Sequence, residues 1–182
     1  DQAVYLNKSF FGVDYEISGG ASPSASSSPS PSPSPGGEKE ADFYLDPASE
    51  TFALGGTLES AVRLATVADT TKVVIATAVL NFDPAVLQVN SLQGSSQFSN
   101  NMILDYDNTA GEITIKQGVG GVDPAVSGDF EFGVIEFKGI PLSSGTQVSF
   151  DESGSSVASD QAVYLNLGFA DAVYTIGGIG GD

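Results

Sequence analysis

Residues 72–82 read KVVIATAVLNF, and this stretch decides the fold. Alternation puts Val73, Ile75 and Val79 on one face and Val74, Leu80 and Phe82 on the other. Apolar side chains on both faces predict a central strand covered from each side. Asp83-Pro84 ends it, because proline has no N–H to continue a ladder. Val86, Leu87 and Val89 follow, then a polar stretch over 93–101. Upstream, Phe43-Tyr44-Leu45 runs into the turn signal Asp46-Pro47, and Gly55-Gly56 separates 52–54 from a strand over 58–67. Downstream, Ile113 and Ile115 alternate with Glu112, Thr114 and Lys116, the pattern of a strand half exposed to water. Phe130, Phe132 and Val134 share one parity while Ile135 and Phe137 share the other, which predicts a β-bulge near Val134-Ile135. Val148 and Phe150 mark a further strand, and 163–167 and 172–176 are expected to close the domain. No window carries a helical period with caps. About nine short strands with glycine-rich turns predict an all-β sandwich.

Composition narrows the function classes. The 182 residues carry a net charge of −17, with six Lys and Arg, no His and no Cys. Such a surface repels nucleic acid and anionic membranes, which need cations to neutralise phosphate. No apolar run reaches about 18 residues, so no membrane insertion is expected. Without Cys there is neither a disulfide framework nor a thiolate metal site, which suits an exported protein, extracellular or on the cell surface. The chain opens at Asp1 without a leader, as expected of a processed or excised product.

Three segments follow from composition: a strand-forming segment over 1–20, a Ser/Pro-rich linker over 21–40, and the sandwich over 41–182. The tract ASPSASSSPSPSPSP at 21–35 favours extended polyproline II and acts as a semi-rigid spacer. Ser22, Ser24, Ser26, Ser27, Ser28, Ser30, Ser32 and Ser34 are candidate O-glycosylation sites, since extracellular Ser/Pro tracts commonly carry glycans.

Four stretches in order resemble the cohesin family, whose architecture is related to certain carbohydrate-binding modules. They are FYLDPASETFALGGTLESAVRL at 43–64, VVIATAVLNFDPAVLQVNSL at 73–92, DYDNTAGEITI at 105–115 and VSGDFEFGVIEFKGI at 126–140. The resemblance covers roughly 41–178. It implies a nine-stranded jelly-roll sandwich and a protein-binding role, in which cohesins of cellulose-degrading assemblies bind dockerin modules. No contact position of a dockerin-binding face is carried over. The absence of Trp weakens a sugar-binding analogy, because flat sugar-binding strips rely on large aromatics.

Catalysis has little to stand on. There is no His, no Cys and no nucleophile elbow, and with 23 carboxylates some close pair is inevitable, so no catalytic residue is assigned and the chain is not expected to be an enzyme. Asp105 and Asp107, followed by Asn108, have the oxygen density calcium favours, but Ala110 stands where a helical calcium loop needs glycine. A polar β-turn is the preferred reading, no cofactor is assigned, and calcium at Asp105 and Asp107 is the weak alternative. Asp151-Glu152 reads as a solvated turn.

The most telling feature lies outside the sandwich core. Residues 1–20, DQAVYLNKSFFGVDYEISGG, recur at 160–179 as DQAVYLNLGFADAVYTIGGI, with 11 of 20 positions identical and no gap. A fixed period announces an array of like units. Val4, Leu6, Phe10, Tyr15 and Ile17 match Val163, Leu165, Phe169, Tyr174 and Ile176 of the expected closing strand. Two segments with one pattern want the same slot in a sheet, so 1–17 are expected to pair with a sandwich other than their own chain's. The unit then joins copies of itself head to tail, in a tandem array or by strand exchange, as the subunit of an extracellular fibre built from cohesin-like domains. The alternative is a recognition module that binds a dockerin-like partner in a surface or cellulosome-like assembly.

Overall fold

Every interruption the sequence places in a strand becomes a corner at which the chain changes sheet or direction. The computed structural model describes residues 38–121 and 123–178, which form twelve strands and no helix. These are β1 (Ala41–Asp46), β2 (Ser49–Ala53), β3 (Thr57–Thr66), β4 (Val73–Phe82), β5 (Leu87–Gly94), β6 (Asn100–Asp107), β7 (Glu112–Gly118), β8 (Asp129–Gly139), β9 (Ser143–Phe150), β10 (Ser156–Ser159), β11 (Leu167–Ala170) and β12 (Ala172–Gly177). One sheet runs β11-β1-β3-β8-β5; the other runs β2-β12-β9-β4-β7-β6, with β10 beside β4.

Twelve strands reduce to nine paths at three breaks. A cis Asp46-Pro47 bond divides the opening path, so β1 pairs with β3 in the first sheet and β2 with β12 in the second. The turn after Phe150 separates β9 from β10, which pair with successive stretches of β4. Asp171 stands between β11 and β12 and carries the chain from the first sheet back to the second. Its carboxylate holds that corner by accepting from the Phe150 N–H (3.0 Å) and from Gln147 Nε2 (2.8 Å).

The core between the sheets is aromatic and aliphatic. Phe43, Leu45, Leu64, Phe132, Ile135 and Phe137 enter from the first sheet, and Leu80, Ile113, Ile115, Val148, Tyr174 and Ile176 from the second. Phe43 packs against Phe132 (5.5 Å between ring centroids), Phe150 (5.8 Å) and Phe169 (6.3 Å). Full burial of each such side chain contributes about 1.5–3 kcal/mol. Tyr174 is also wholly buried. Its hydroxyl lies 2.7 Å from Ser60 Oγ on the opposite sheet and donates to the Pro47 carbonyl at 3.0 Å.

Three expectations change in detail. First, β4 is central in its sheet, but it is not covered on both sides. Ala76, Ala78, Leu80 and Phe82 face the core, while Ile75 and Val79 are half-buried on the outer face. Second, the bulge in β8 comes slightly earlier, with Val62 opposite Gly133 and Arg63 opposite Glu131, so Phe132 is the extra residue. Phe132 and Gly133 are both buried there, and a Cβ on Gly133 would lie 2.9 Å from the Gln93 carbonyl oxygen. Third, 163–167 do not form one strand. Ala162 takes φ +57° and turns the chain back against β10, where Tyr164 makes a single bridge to Ala158 before β11 begins at Leu167.

Candidate protein-interaction face

The two sheets present very different outer faces. On the first, cross-strand neighbours are mostly charged: Glu59 opposite Glu136, Arg63 opposite Glu131, and Lys138 between Thr57 and Gln88. Its rim is fastened by Arg63, which donates to Asp129 (2.9 Å) and to the Tyr44 hydroxyl (2.9 Å), while Tyr44 donates to Asp129 (2.8 Å). Burial, together with the Asp129 carboxylate, raises the Tyr44 pKa above the usual phenol range. A face of this kind stays hydrated.

The outer face of the second sheet is built in rows. Ala158, Ile75, Gly118 and Asn100 are successive neighbours across β10, β4, β7 and β6. The next row is Ser156, Thr77, Lys116 and Ile103; then Val79, Thr114 and Asp105; then Ser149, Asn81, Glu112 and Asp107. Met102, the extra residue of a bulge in β6, folds over Gly118. A Cβ on that glycine would lie 2.8 Å from Met102 Cε and 3.7 Å from Ile75 Cγ1. One end of the face is therefore apolar, made by Ile75, Met102 and Ile103, with Met102 43% and Ile103 42% exposed. The other end is acidic, made by Asp105, Asp107 and Glu112, and Lys116 lies between them. Large apolar side chains on an otherwise polar, flat sheet face are the composition of a protein contact surface.

The acidic end is rigid. Asp107 accepts from the N–H groups of Thr109 (2.6 Å) and Ala110 (3.0 Å), and these bonds hold its carboxyl below the usual range. Asn108 bonds both backbone groups of Val89, at 2.7 and 3.0 Å, tying the β6–β7 turn to β5. Gly111 closes the turn at φ +74°, a conformation that glycine adopts without strain, with its Cα close against the Phe82 carbonyl. Asp105 and Asp107 are thus parts of a hairpin and its turn. Among the described residues no three carboxylates converge as a metal site would require.

Residues 45–169 match the family model described as cohesin domain. The chain belongs to the cohesin family. Cohesin domains are non-catalytic protein-interaction modules, so this one is not an enzyme. The structure is similar to that of the Coh-OlpC-Doc435 complex, a type I cohesin–dockerin complex of Clostridium thermocellum (TM-score 0.68, 13% identity, 78% of this chain and 96% of that one). It is also similar to the solution structure of CaCohA2 from Clostridium acetobutylicum (0.65, 14%, 78% and 94%). A third likeness is a non-cellulosomal cohesin from the hyperthermophilic archaeon Archaeoglobus fulgidus (0.60, 15%, 76% and 91%). At these identities the likeness establishes the jelly-roll sandwich. No curated protein matches the sequence.

The repeat residues of this cohesin domain are spread over three places. Val163 is exposed and Leu165 half-buried in the segment after the Ala162 turn. Phe169, on β11, packs tilted against Phe150 (5.7 Å between ring centroids), and Tyr174 and Ile176 are buried on β12. Their counterparts Val4, Leu6, Phe10, Tyr15 and Ile17 lie outside the described residues, as do the candidate glycosylation serines from Ser22 to Ser34. The sequence reading named Ile75, Val79, Asp105 and Asp107 without joining them into one contact face, and it missed Met102 and Ile103. The signal for that face was the second apolar parity of 72–82, which belongs to an open face instead of a covering layer. Among the described residues no helix is long and apolar enough to cross a membrane.

Proposed function

We propose that this cohesin domain is a docking unit of an extracellular or cell-surface assembly, and that the outer face of β9, β4, β7 and β6 receives a dockerin-like module. The supporting observation is the outward apolar group Ile75, Val79, Met102 and Ile103, set on one face of a sandwich whose other face is charged. The partner's surface would be apolar where it meets Ile75 and Ile103 and basic where it meets Asp105, Asp107 and Glu112. Complementary charge at that end sets orientation and on-rate more than affinity. The test is calorimetric titration of the chain with a panel of dockerin modules. Tight binding to a member is expected, weakened about 10- to 100-fold by Ile103→Asp, as loss of an interface anchor implies, and unaffected by Glu136→Lys on the opposite face. Absence of binding across the panel, or equal binding by the Ile103 variant, would sink the reading.

A second reading is favoured by the terminal repeat. Residues 1–17 complete the equivalent slot of another unit, so that copies join head to tail into a fibre. Electron microscopy of the chain with and without residues 1–20 tests it. Fibres are expected only with the segment present, and assembly by the truncated chain would refute strand sharing.

A further inference from the structure

The identity between the two repeat copies is distributed in an unexpected way. All seven positions of 160–166 are identical to 1–7, yet only four of the next twelve, 167–178, match 8–19. Core packing accounts for part of the second group, since Tyr174 and Ile176 are buried. In the first it accounts for Leu165 alone, which is half-buried against the core. No residue of 160–166 is buried, and Val163 and Tyr164 are 55% and 56% exposed. The Ala162 turn has no need of a valine and a tyrosine after it. The segment that is repeated without change is the one that faces outward.

That segment forms a wall of a groove of about 1030 Å³. Val157, Leu165, Leu167 and Phe169 give it an apolar lining, and Val67, 66% exposed, is a further apolar contact. With Leu142, the three side chains Val67, Val163 and Tyr164 are the most exposed large apolar groups among the described residues. Glu38, Glu40 and Glu152 also line it, while Lys39 is engaged with Asp42 at 3.2 Å. The occupant must therefore be apolar and free of negative charge, which disfavours the surface of a second chain of net charge −17.

The chain supplies such a segment at the groove itself. Residues 31–37, PSPSPGG, carry no charge and lead directly into Glu38. We propose that 31–35 dock along this groove as a polyproline II strand against Tyr164 and Val163. Grooves lined by aromatics bind proline-rich strands because the strand is already extended and loses little entropy. The five residues 31–35 span about 16 Å in that conformation. Gly36-Gly37 supply the backbone freedom to turn the strand back over the domain. Tethering makes the contact intramolecular, at an effective concentration on the order of millimolar, so even a weak groove fills. The tract then acts as a spacer bound to this face of the domain. This goes beyond the proposed docking function, because it concerns a different surface and a partner within the chain.

The test uses the full unglycosylated chain and a soluble nitroxide that relaxes exposed methyl groups. Leu142, 60% exposed on a different loop, is the internal standard. Docking predicts that the Val163 methyls are relaxed several-fold less than those of Leu142. The same protection should vanish in the triple variant Pro31→Gly, Pro33→Gly and Pro35→Gly, whose changes lie outside the sandwich, and in Tyr164→Ser. It should also persist unchanged on dilution. Three results would overturn the proposal: Val163 as accessible as Leu142 in the unaltered chain, protection surviving in the triple variant, or protection lost on dilution, which would assign the groove to a second copy.

Discussion

Replacing Tyr174 by Phe removes one oxygen at the one point where a side chain from the closing strand bonds both the facing sheet and the opening corner. Because the Pro47 carbonyl can only accept, the Tyr174 hydroxyl donates to it (3.0 Å), and the Ser60 hydroxyl then donates to Tyr174 Oη (2.7 Å). Ser60 is wholly buried, so Tyr174→Phe leaves its hydroxyl without a partner and the Pro47 carbonyl short of one. An orphaned buried polar group costs about 1–3 kcal/mol, which puts Tyr174→Phe near 2 kcal/mol. For a domain of this size that lowers Tm by about 6–10 °C. Ser60→Ala leaves the Tyr174–Pro47 bond intact and should cost only about 1 kcal/mol. The double variant has no orphaned hydroxyl on β3, so its loss should fall short of the sum by about 1 kcal/mol. Urea denaturation followed by circular dichroism measures all four proteins. The pH dependence gives a second readout. Burial raises the Tyr174 pKa above its ordinary 10.0. The stability carried by the neutral phenol is therefore complete below pH 10 and is lost as pH rises through the folded-state value. Tyr174→Phe should be less alkali-sensitive than the parent. Strict additivity of the two substitutions, or parallel pH curves, would refute the network.

Other substitutions separate the core from the docking face. Leu80→Asp should unfold the domain, since an unpaired buried charge costs several kcal/mol, whereas Ile75→Asp on the outer face should keep the native circular dichroism spectrum. Gly111→Ala forces a side chain into a positive-φ position against the Phe82 carbonyl, and a loss of about 1–3 kcal/mol is expected in the same denaturation assay. The hydroxyl and N–H of Ser153 and the N–H of Gly154 hold the Asp151 carboxyl low. Its stabilising effect is therefore present above the unfolded carboxylate value and lost as pH falls through the folded one, so Asp151→Asn should flatten the acid limb of Tm against pH. Native material should show intact masses above the bare 18.6 kDa polypeptide if the Ser22 to Ser34 tract carries glycans.

Much of the sandwich was legible because its strands are punctuated by residues with one physical meaning. Pro47 and Pro84 lack a donor, Gly55 and Gly111 take positive φ, and Ile113 and Ile115 alternate against Glu112, Thr114 and Lys116 as a half-exposed strand must. The inner face of β4 was harder to read. Its core side there includes Ala76 and Ala78, because phenylalanine rings at 43, 132, 137 and 150 supply the interior volume, and the larger Ile75 and Val79 made the outer face read as covered too. The bulge in β8 was detectable from its parity switch but not to the residue, since Phe132 and Val134 are both apolar. The split of the closing path at Asp171 had one signal, a carboxylate interrupting the run LGFA-AVYTI. Nothing local marked 160–166 as a turn. Its apolar pattern resembles a strand, and only the backbone at Ala162 breaks it.

The parallel pairing of the first and last strands has a mechanical consequence. Ala41 to Tyr44 lie in register beside Leu167 to Ala170, and Ser49 to Ala53 beside Val173 to Gly177, with the two strands of each pair pointing the same way. A pull that separates the entry of β1 from the exit of β12 therefore runs along the strands. It loads their hydrogen bonds in shear, all at once, instead of peeling them open one at a time. In a chain of such units under tension, each domain would hold its neighbours by its strongest direction.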